Sequence, residues 1–180
     1  IDVSKTRLRG LHNAENLMAA CAVVEGITPE VAQAALVDYA PPVHRCELVG
    51  IFDQVEWLND SKATNLHALE AALRSQNRPT ILIAGGKEKG LDYQLLAPLL
   101  AEKVTQAIFF GEIGASIAVN FFDVVPCETV DTLEEAVKFA AQKTKPGDAV
   151  LFSPGTSSFD QFSGYEARGD AFKSAVLSLP

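Results

Sequence analysis

The chain has 180 residues, of which 48% are hydrophobic, and carries a formal charge of -8 with only 15 Lys and Arg residues. This length predicts one globular domain, or one domain with a small attachment. The acidic balance argues against nucleic acid or an anionic membrane as a partner, because both require a clustered positive surface. Any anionic ligand must therefore be held by local groups.

The cysteines and the apolar stretches indicate where the protein works. Cys21, Cys46 and Cys127 are far apart and lack CxxC spacing, which predicts neither disulfides nor a zinc site and favours a cytoplasmic localisation. The longest apolar stretch, "LMAACAVV", is too short to span a bilayer. The sequence also begins abruptly without Met, so we expect a piece of a longer protein.

The first part of the chain has a helical pattern. Helices are predicted over 14–25 and 28–39, the second with Thr28 as its N-cap and Pro29 at its first position. Two adjacent prolines in "APPVHR" then stop the helical pattern. We therefore predict a boundary at 40–43, with a helical piece over 1–43 and a second domain over 44–180.

Residues 44–180 alternate between strand and helix patterns. Two short strands are expected around a turn at Asp53, and further strands are expected at 80–86, 106–111, 124–126 and 148–155. Helices are predicted between them and at the end, over 65–76, 93–104, 112–122, 131–143 and 165–179. Near-continuous apolar strands that alternate with helices predict an α/β fold, with a mainly parallel, Rossmann-like sheet covered on both faces.

Three predicted strand ends carry polar loops, namely 59–65 ("NDSKATN"), 85–92 ("GGKEKGLD") and 153–162 ("SPGTSSFDQF"). The carboxyl ends of parallel strands share one edge, where helix N-termini offer free N–H groups. If the loops adjoin, they form a pocket for a small dianion, with Lys62, Thr64, Lys87, Lys89, Ser157 and Ser158 around it. For any one loop, a plain structural turn is an equal interpretation. A fourth strand end, "FFGEIG", looks plain by comparison.

Several standard signatures are absent from the sequence. It contains no GxxxxGK[ST] or GxGxxG loop, and "GTSSF" is not a nucleophile elbow. The three His residues show no spacing for a catalytic triad or a metal site.

Five segments together resemble a known family. "GLHNAENLMAA", "HRCE", "WLNDSKATN", "IAGGKEKGLDY" and "LFSPGTSSFDQFSGYEARGDAF" are similar, in order and spacing, to the C-terminal half of the D-glutamate-adding Mur ligases. The resemblance implies an ATP-dependent ligase that adds D-glutamate to UDP-N-acetylmuramoyl-L-alanine through an acyl phosphate, in peptidoglycan precursor synthesis. It implies ATP and Mg²⁺ as cofactors, with the metal ligands in a central domain that these residues lack. We expect the 180 residues alone to be inactive.

The resemblance also implies roles for particular residues. The nucleotide contacts are Asn13, Asn16, Arg45 and Asp60; the D-glutamate contacts are Thr64, Lys89, Ser158, Phe159 and Tyr165; the catalytic groups are Lys62, on the phosphate side, and Lys89. The residue chemistry agrees, since a planar guanidinium suits phosphate or ribose oxygens and a lysine with two hydroxyls suits a dicarboxylate.

Structural alternatives stay open for some of these residues. Asp60 could cap the following helix, and Asn13 could satisfy backbone groups in its own turn. In "KEKG" a Glu separates two lysines, and we favour Lys89 over Lys87 as the one that faces the substrate. Two other functions also stay open: a non-catalytic Rossmann-like module that binds a small acidic metabolite, and a ligase of the folylpolyglutamate synthetase type.

Overall fold

A computed structural model describes residues 1–2, 5–6, 11–37, 39 and 42–180, without the side chains of residues 11–13. The chain divides into two compact units, Ile1–Val43 and His44–Pro180. The first unit contains α1 (Leu11–Val23) and α2 (Pro29–Val37). The Val31 amide donates to Thr28 Oγ1 at 3.3 Å, which confirms the predicted start of α2.

The second unit is built on one sheet. Its described strands are β1 (Glu47–Phe52), β2 (Val55–Asn59), β3 (Thr80–Gly85), β4 (Val104–Phe110), β5 (Cys127–Val130) and β6 (Ala149–Phe152). Its described helices are α3 (Leu66–Arg74), α4 (Ala97–Lys103), α5 (Gly114–Phe121), α6 (Leu133–Lys143) and α7 (Tyr165–Leu177), with a 3-10 turn at Tyr93–Leu96.

The strand order is β1-β2-β6-β3-β4-β5, and all neighbours are parallel except β1 and β2. The last strand in the chain, β6, therefore lies between β2 and β3 at the centre of the sheet. The antiparallel pair is closed by Asp53 and Gln54, which both have positive φ. The predicted α/β fold with a mainly parallel sheet is confirmed.

Side chains alternate between the two faces of the sheet, because the strand period is two residues. Leu82 and Ala84 of β3 pack against α3, α4 and α5. Ile81 and Ile83 of the same strand pack against α6 and α7. Helices thus cover both faces, which is why the central strands are apolar throughout.

Local sequence signals explain several boundaries. The side chain of Asn65 accepts from the Ala68 amide and caps α3, and Thr132 and Glu135 form a capping box at α6. Pro98 lies in the first turn of α4, where its missing N–H leaves no helical bond unmade. The helix predicted over 93–104 therefore starts with a 3-10 turn.

The strand predicted at 124–126 is wrong. The amides of Val124 and Val125 both donate to the Phe121 carbonyl, so these apolar residues close the end of α5. Pairing with β4 begins one residue after Pro126, at Cys127. Apolar content alone could not separate a buried helix end from an edge strand.

Candidate functional site

The carboxyl ends of β2, β6 and β3 are neighbours. Asn59 and Ile83, on the two flanking strands, both lie opposite Phe152 of the central one. The loops 59–65, 153–162 and 85–92 leave the sheet at these ends. The prediction that the three polar loops meet at one edge of the sheet is confirmed.

Backbone hydrogen bonds join the three loops into one rim. The central loop reaches 59–65 through Gly155 N, which donates to the Ala63 carbonyl at 2.9 Å. It reaches 85–92 on its other side, where Lys87 N donates to the Ser157 carbonyl at 2.9 Å. Gly86, at the start of the loop 85–92, packs directly against the central loop. Its φ is 135°, and a Cβ there would come 2.5 Å from the Ser157 oxygen, so only glycine fits.

Arg168 of α7 fastens two of these loops from below. Its side chain is fully buried, and Nη2 donates to the carbonyls of Ser61 (2.9 Å) and Thr156 (3.0 Å). Burial lowers the pKa of this guanidinium to about 10. Sequence reasoning gave Arg168 no role. The available signal was its position four residues before Phe172, on the buried face of the helix.

Asp60 is buried behind the rim, with an exposed fraction of 5%. Its Oδ2 accepts from Ser153 Oγ at 2.7 Å, and its Oδ1 accepts from the Cys46 amide at 3.2 Å. Burial raises the pKa of this carboxyl to about 6, against the opposing effect of both hydrogen bonds and of Arg45. Since Asn65 caps α3, the alternative of Asp60 as the helix cap is wrong.

Tyr165 is anchored by the first loop. Its carbonyl accepts from Ser61 Oγ at 2.8 Å, and its ring lies 5.7 Å from Lys62 Nζ, a cation–π distance. His44 packs edge-on against the same ring, and its carbonyl accepts from the Lys62 amide. The structure thus brings Lys62 and Tyr165 together.

The remaining predicted residues lie at different depths. Thr64 is half-buried, whereas Arg45, Lys89 and Phe159 are exposed. Ser158 is only 1% exposed, and its carbonyl accepts from the amides of Gln161 and Phe162 in a tight turn. Asn13 and Asn16 belong to α1 of the first unit; Asn16 is exposed, and the side chain of Asn13 is outside the described part of the chain.

Residues 44–156 match the family described as "Mur ligase, glutamate ligase domain". The chain belongs to the Mur ligase family. It is 45% identical over 99% of its length to a protein of Chlorobium chlorochromatii named UDP-N-acetylmuramoylalanine-D-glutamate ligase, and it covers 39% of that protein. The chain therefore spans about two-fifths of the length of this curated relative.

Solved structures show the same fold. MurF from Acinetobacter baumannii has a TM-score of 0.72 at 16% identity, over 97% of this chain and 39% of that one. A Mycobacterium tuberculosis folylpolyglutamate synthase, solved with ADP, has a TM-score of 0.70 at 14% identity, over 94% of this chain and 41% of that one. At such identities the likeness shows the fold alone.

The fourth strand end of this Mur ligase domain also contributes to the rim. Glu112, in the loop after β4, pairs with Lys87 at 2.6 Å, and its amide donates to Asp160 Oδ2 at 3.2 Å. The interpretation of "FFGEIG" as plain was therefore wrong. The sequence could not reveal this pair, because it depends on β4 lying beside β3.

Two observations concern metal and phosphate binding by the described residues. Among the described residues, no three His, Cys, Asp or Glu side chains gather where they could hold a metal ion. The exposed guanidinium of Arg45 is the kind of group that binds phosphate oxygens.

Within the described residues, no helix combines the length and the apolar character that a bilayer crossing needs.

Proposed function

We propose that this chain is the C-terminal part of an ATP-dependent ligase that adds D-glutamate to UDP-N-acetylmuramoyl-L-alanine in the cytoplasm. The observation that carries the proposal is the 45% identity, over 99% of the chain, to a relative named for the D-glutamate reaction. The joined polar rim supports it, because it offers lysines and hydroxyls to a small dicarboxylate. In this proposal residues 1–43 are the tail of a central ATPase domain, and 44–180 form the domain that binds the acceptor amino acid.

The proposed chemistry explains why a rigid rim is useful. A carboxylate is a poor electrophile, so the L-alanine carboxylate first takes a phosphoryl group from ATP. The D-glutamate amine then attacks the acyl phosphate, and phosphate leaves the tetrahedral intermediate. Most of the catalysis in such a step comes from holding the amine in line with the acyl carbon and from neutralising charge.

The site residues predicted from the sequence have these proposed tasks. Lys89 and the hydroxyls of Thr64 and Ser158 hold the two carboxylates of D-glutamate, while Phe159 and Tyr165 cover it. Lys62 serves the phosphate side.

The nucleotide is proposed to contact Arg45 directly. Asp60 is proposed as a second contact of the nucleotide, and its Oδ1 also holds the Cys46 amide next to Arg45. Asn13 and Asn16 are proposed to lie near the adenine. The Mg²⁺ ligands are proposed to come from the central domain.

An acceptor assay with the full-length protein tests this function. D-glutamate, L-glutamate, L-lysine and meso-diaminopimelate are offered separately with ATP and UDP-N-acetylmuramoyl-L-alanine, and the product is identified by mass. We expect incorporation of D-glutamate alone. Incorporation of any other acceptor in its place would contradict the proposal.

A pair of lysine variants tests which lysine holds the substrate. Lys89→Met should lower kcat/KM for D-glutamate by about 10- to 100-fold, the size expected for one charge-assisted contact. Lys87→Met is the matched variant from the same loop and should have the smaller effect. An equal or larger loss for Lys87→Met would show that Lys87, and not Lys89, holds the substrate.

A further inference from the structure

The two lysines of the loop 85–92 have different surroundings. Lys87 Nζ lies 2.6 Å from Glu112 Oε2, whereas among the described residues no acidic group pairs with Lys89. Glu88, which separates them in sequence, turns back on its own loop, and its Oε1 accepts from the Gly90 amide. The acid between the two lysines therefore neutralises neither of them.

Glu112 holds this loop at Lys87. The pKa of its carboxyl is lowered by the Lys87 ammonium and, to a smaller extent, by the Glu88 amide. In return, the Glu112 carboxylate raises the pKa of Lys87. The loop 85–92 is thus tied to the loop after β4 through this half-exposed ion pair.

Asp160 fixes the position of Glu112 itself. Its Oδ2 accepts from the Glu112 amide at 3.2 Å and lies against Gly111, where a Cβ would come 2.4 Å from that oxygen. Gly111 has φ of 73°, so the turn both needs glycine and leaves room for the carboxylate. The loops 153–162, 111–113 and 85–92 are therefore joined through two acidic side chains.

We propose that Glu112 is a positioning and specificity residue of the acceptor site: it holds Lys87 away from the substrate and leaves Lys89 as the cation of that loop for a carboxylate of the incoming amino acid. This inference rests on the proposed function. The reason is electrostatic. If the Lys87 ammonium were unpaired, a dicarboxylate could bind to it as well as to Lys89 and take up alternative poses in the pocket. Asp160 supports Glu112 and does not contact the substrate.

The test measures KM and kcat for variants of Lys87 and Glu112 in the full-length protein. Glu112→Gln should raise KM for D-glutamate by about three- to fivefold, the range expected for a half-exposed ion pair. Its kcat and its KM for ATP should stay within about twofold of the wild type. Lys87→Glu should raise KM for D-glutamate by about tenfold or more, because two carboxylates then face each other beside an anionic substrate.

The reciprocal variant Lys87→Glu/Glu112→Lys restores the pair with its charges exchanged. We expect its KM for D-glutamate to return to within about threefold of the wild type, because the coupling between the two positions is restored. Glu70→Gln removes a comparable surface pair, Glu70–Arg74 at 2.8 Å on α3, and is the matched control. The inference is overturned if Glu112→Gln behaves like Glu70→Gln, or if the reciprocal variant is no better than Lys87→Glu.

A ligand-free measurement separates this inference from the proposed function. In the 180-residue chain, the carboxyl carbon of Glu112 is titrated by NMR with and without Lys87→Met. We expect the pKa of Glu112 to rise in the variant, and an unchanged pKa would overturn the inference even in an active enzyme. If the wild type incorporated no D-glutamate while the Glu112 titration behaved as expected, the proposed function would fail and the Lys87–Glu112 pairing would stand.

Discussion

At the scale of single residues, Asp60 shows how the site combines burial with charge. The carboxyl is buried and accepts two hydrogen bonds, yet burial dominates and raises its pKa to about 6 from an ordinary 3.8. In the folded chain this carboxyl therefore binds a proton more tightly than in the unfolded chain. Its contribution to stability is full below about pH 4 and is lost as the pH rises through about 6.

Asp60→Asn tests this pH dependence. The amide keeps an acceptor for Cys46 and can donate to Ser153, but it does not ionise. We expect the stability of the variant relative to wild type to improve between about pH 4 and pH 6 and then level off, by a total on the order of 3 kcal/mol. Urea unfolding of the 180-residue chain at several pH values measures it. A difference that stays constant with pH would contradict the assignment.

Sequence reasoning located most of the polar residues of the rim but not their depth. The loops around Lys62, Lys89 and Ser158 were recognised because polar groups followed apolar strands. The burial of Ser158 and the clamp made by Arg168 could not be predicted, since both depend on how α7 packs under the loops. An arginine on an apolar helix face was the one local sign.

At the scale of elements, the loops hold their shape because α7 ties them together. Arg168 satisfies the carbonyls of Ser61 and Thr156 at once, which no uncharged side chain of its length could do. The sheet places the loops side by side, and this one side chain joins two of them. Element order was predictable from the sequence, whereas the exact end of α5 and start of β5 were not.

Arg168→Met tests the clamp. Leaving two buried carbonyls without donors should lower the free energy of unfolding by about 2 kcal/mol or more. Arg168→Lys should recover only part of the stability, because the shorter ammonium falls short of the Nη2 position and the Nε bond to Ser61 Oγ is lost. Arg74→Met on the surface of α3 is the control and should stay within about 0.5 kcal/mol. Equal effects of Arg168→Met and Arg74→Met in urea unfolding would rule out the clamp.

The capping box of α6 is a second element-scale feature. Thr132 accepts from the Glu135 amide, and Glu135 reaches back to the Thr132 amide at 3.0 Å. Thr132→Ala should cost about 1 kcal/mol, while Thr132→Ser should keep most of the stability. Urea midpoints of the two variants compare them directly, and a Ser variant as unstable as the Ala variant would contradict the capping role.

At the scale of the whole molecule, the chain covers only 39% of a relative that it matches along almost all of its own length. The proposed function therefore assigns the metal site and the remaining ATP contacts to residues outside these 180. Ligand binding by the 180 residues alone distinguishes a part of a ligase from a binding module that works by itself. A module should bind its ligand unaided.

Calorimetry distinguishes these two possibilities. We expect the 180-residue chain to bind D-glutamate and ATP with Kd weaker than about 1 mM, and the full-length protein to bind ATP at least about tenfold more tightly. Submillimolar binding of a small acidic metabolite by the chain alone would favour the non-catalytic module.

The central claim is that the joined loops at the carboxyl edge of β2, β6 and β3 hold the acceptor amino acid. A crystal structure of the full-length protein with D-glutamate and a non-hydrolysable ATP analogue tests it most directly. We expect a carboxylate of D-glutamate within hydrogen-bonding distance of the Lys89 ammonium and the Thr64 hydroxyl. D-glutamate bound at the amino ends of the strands, in the groove lined by Gln76, Arg78 and Lys103, would contradict the account.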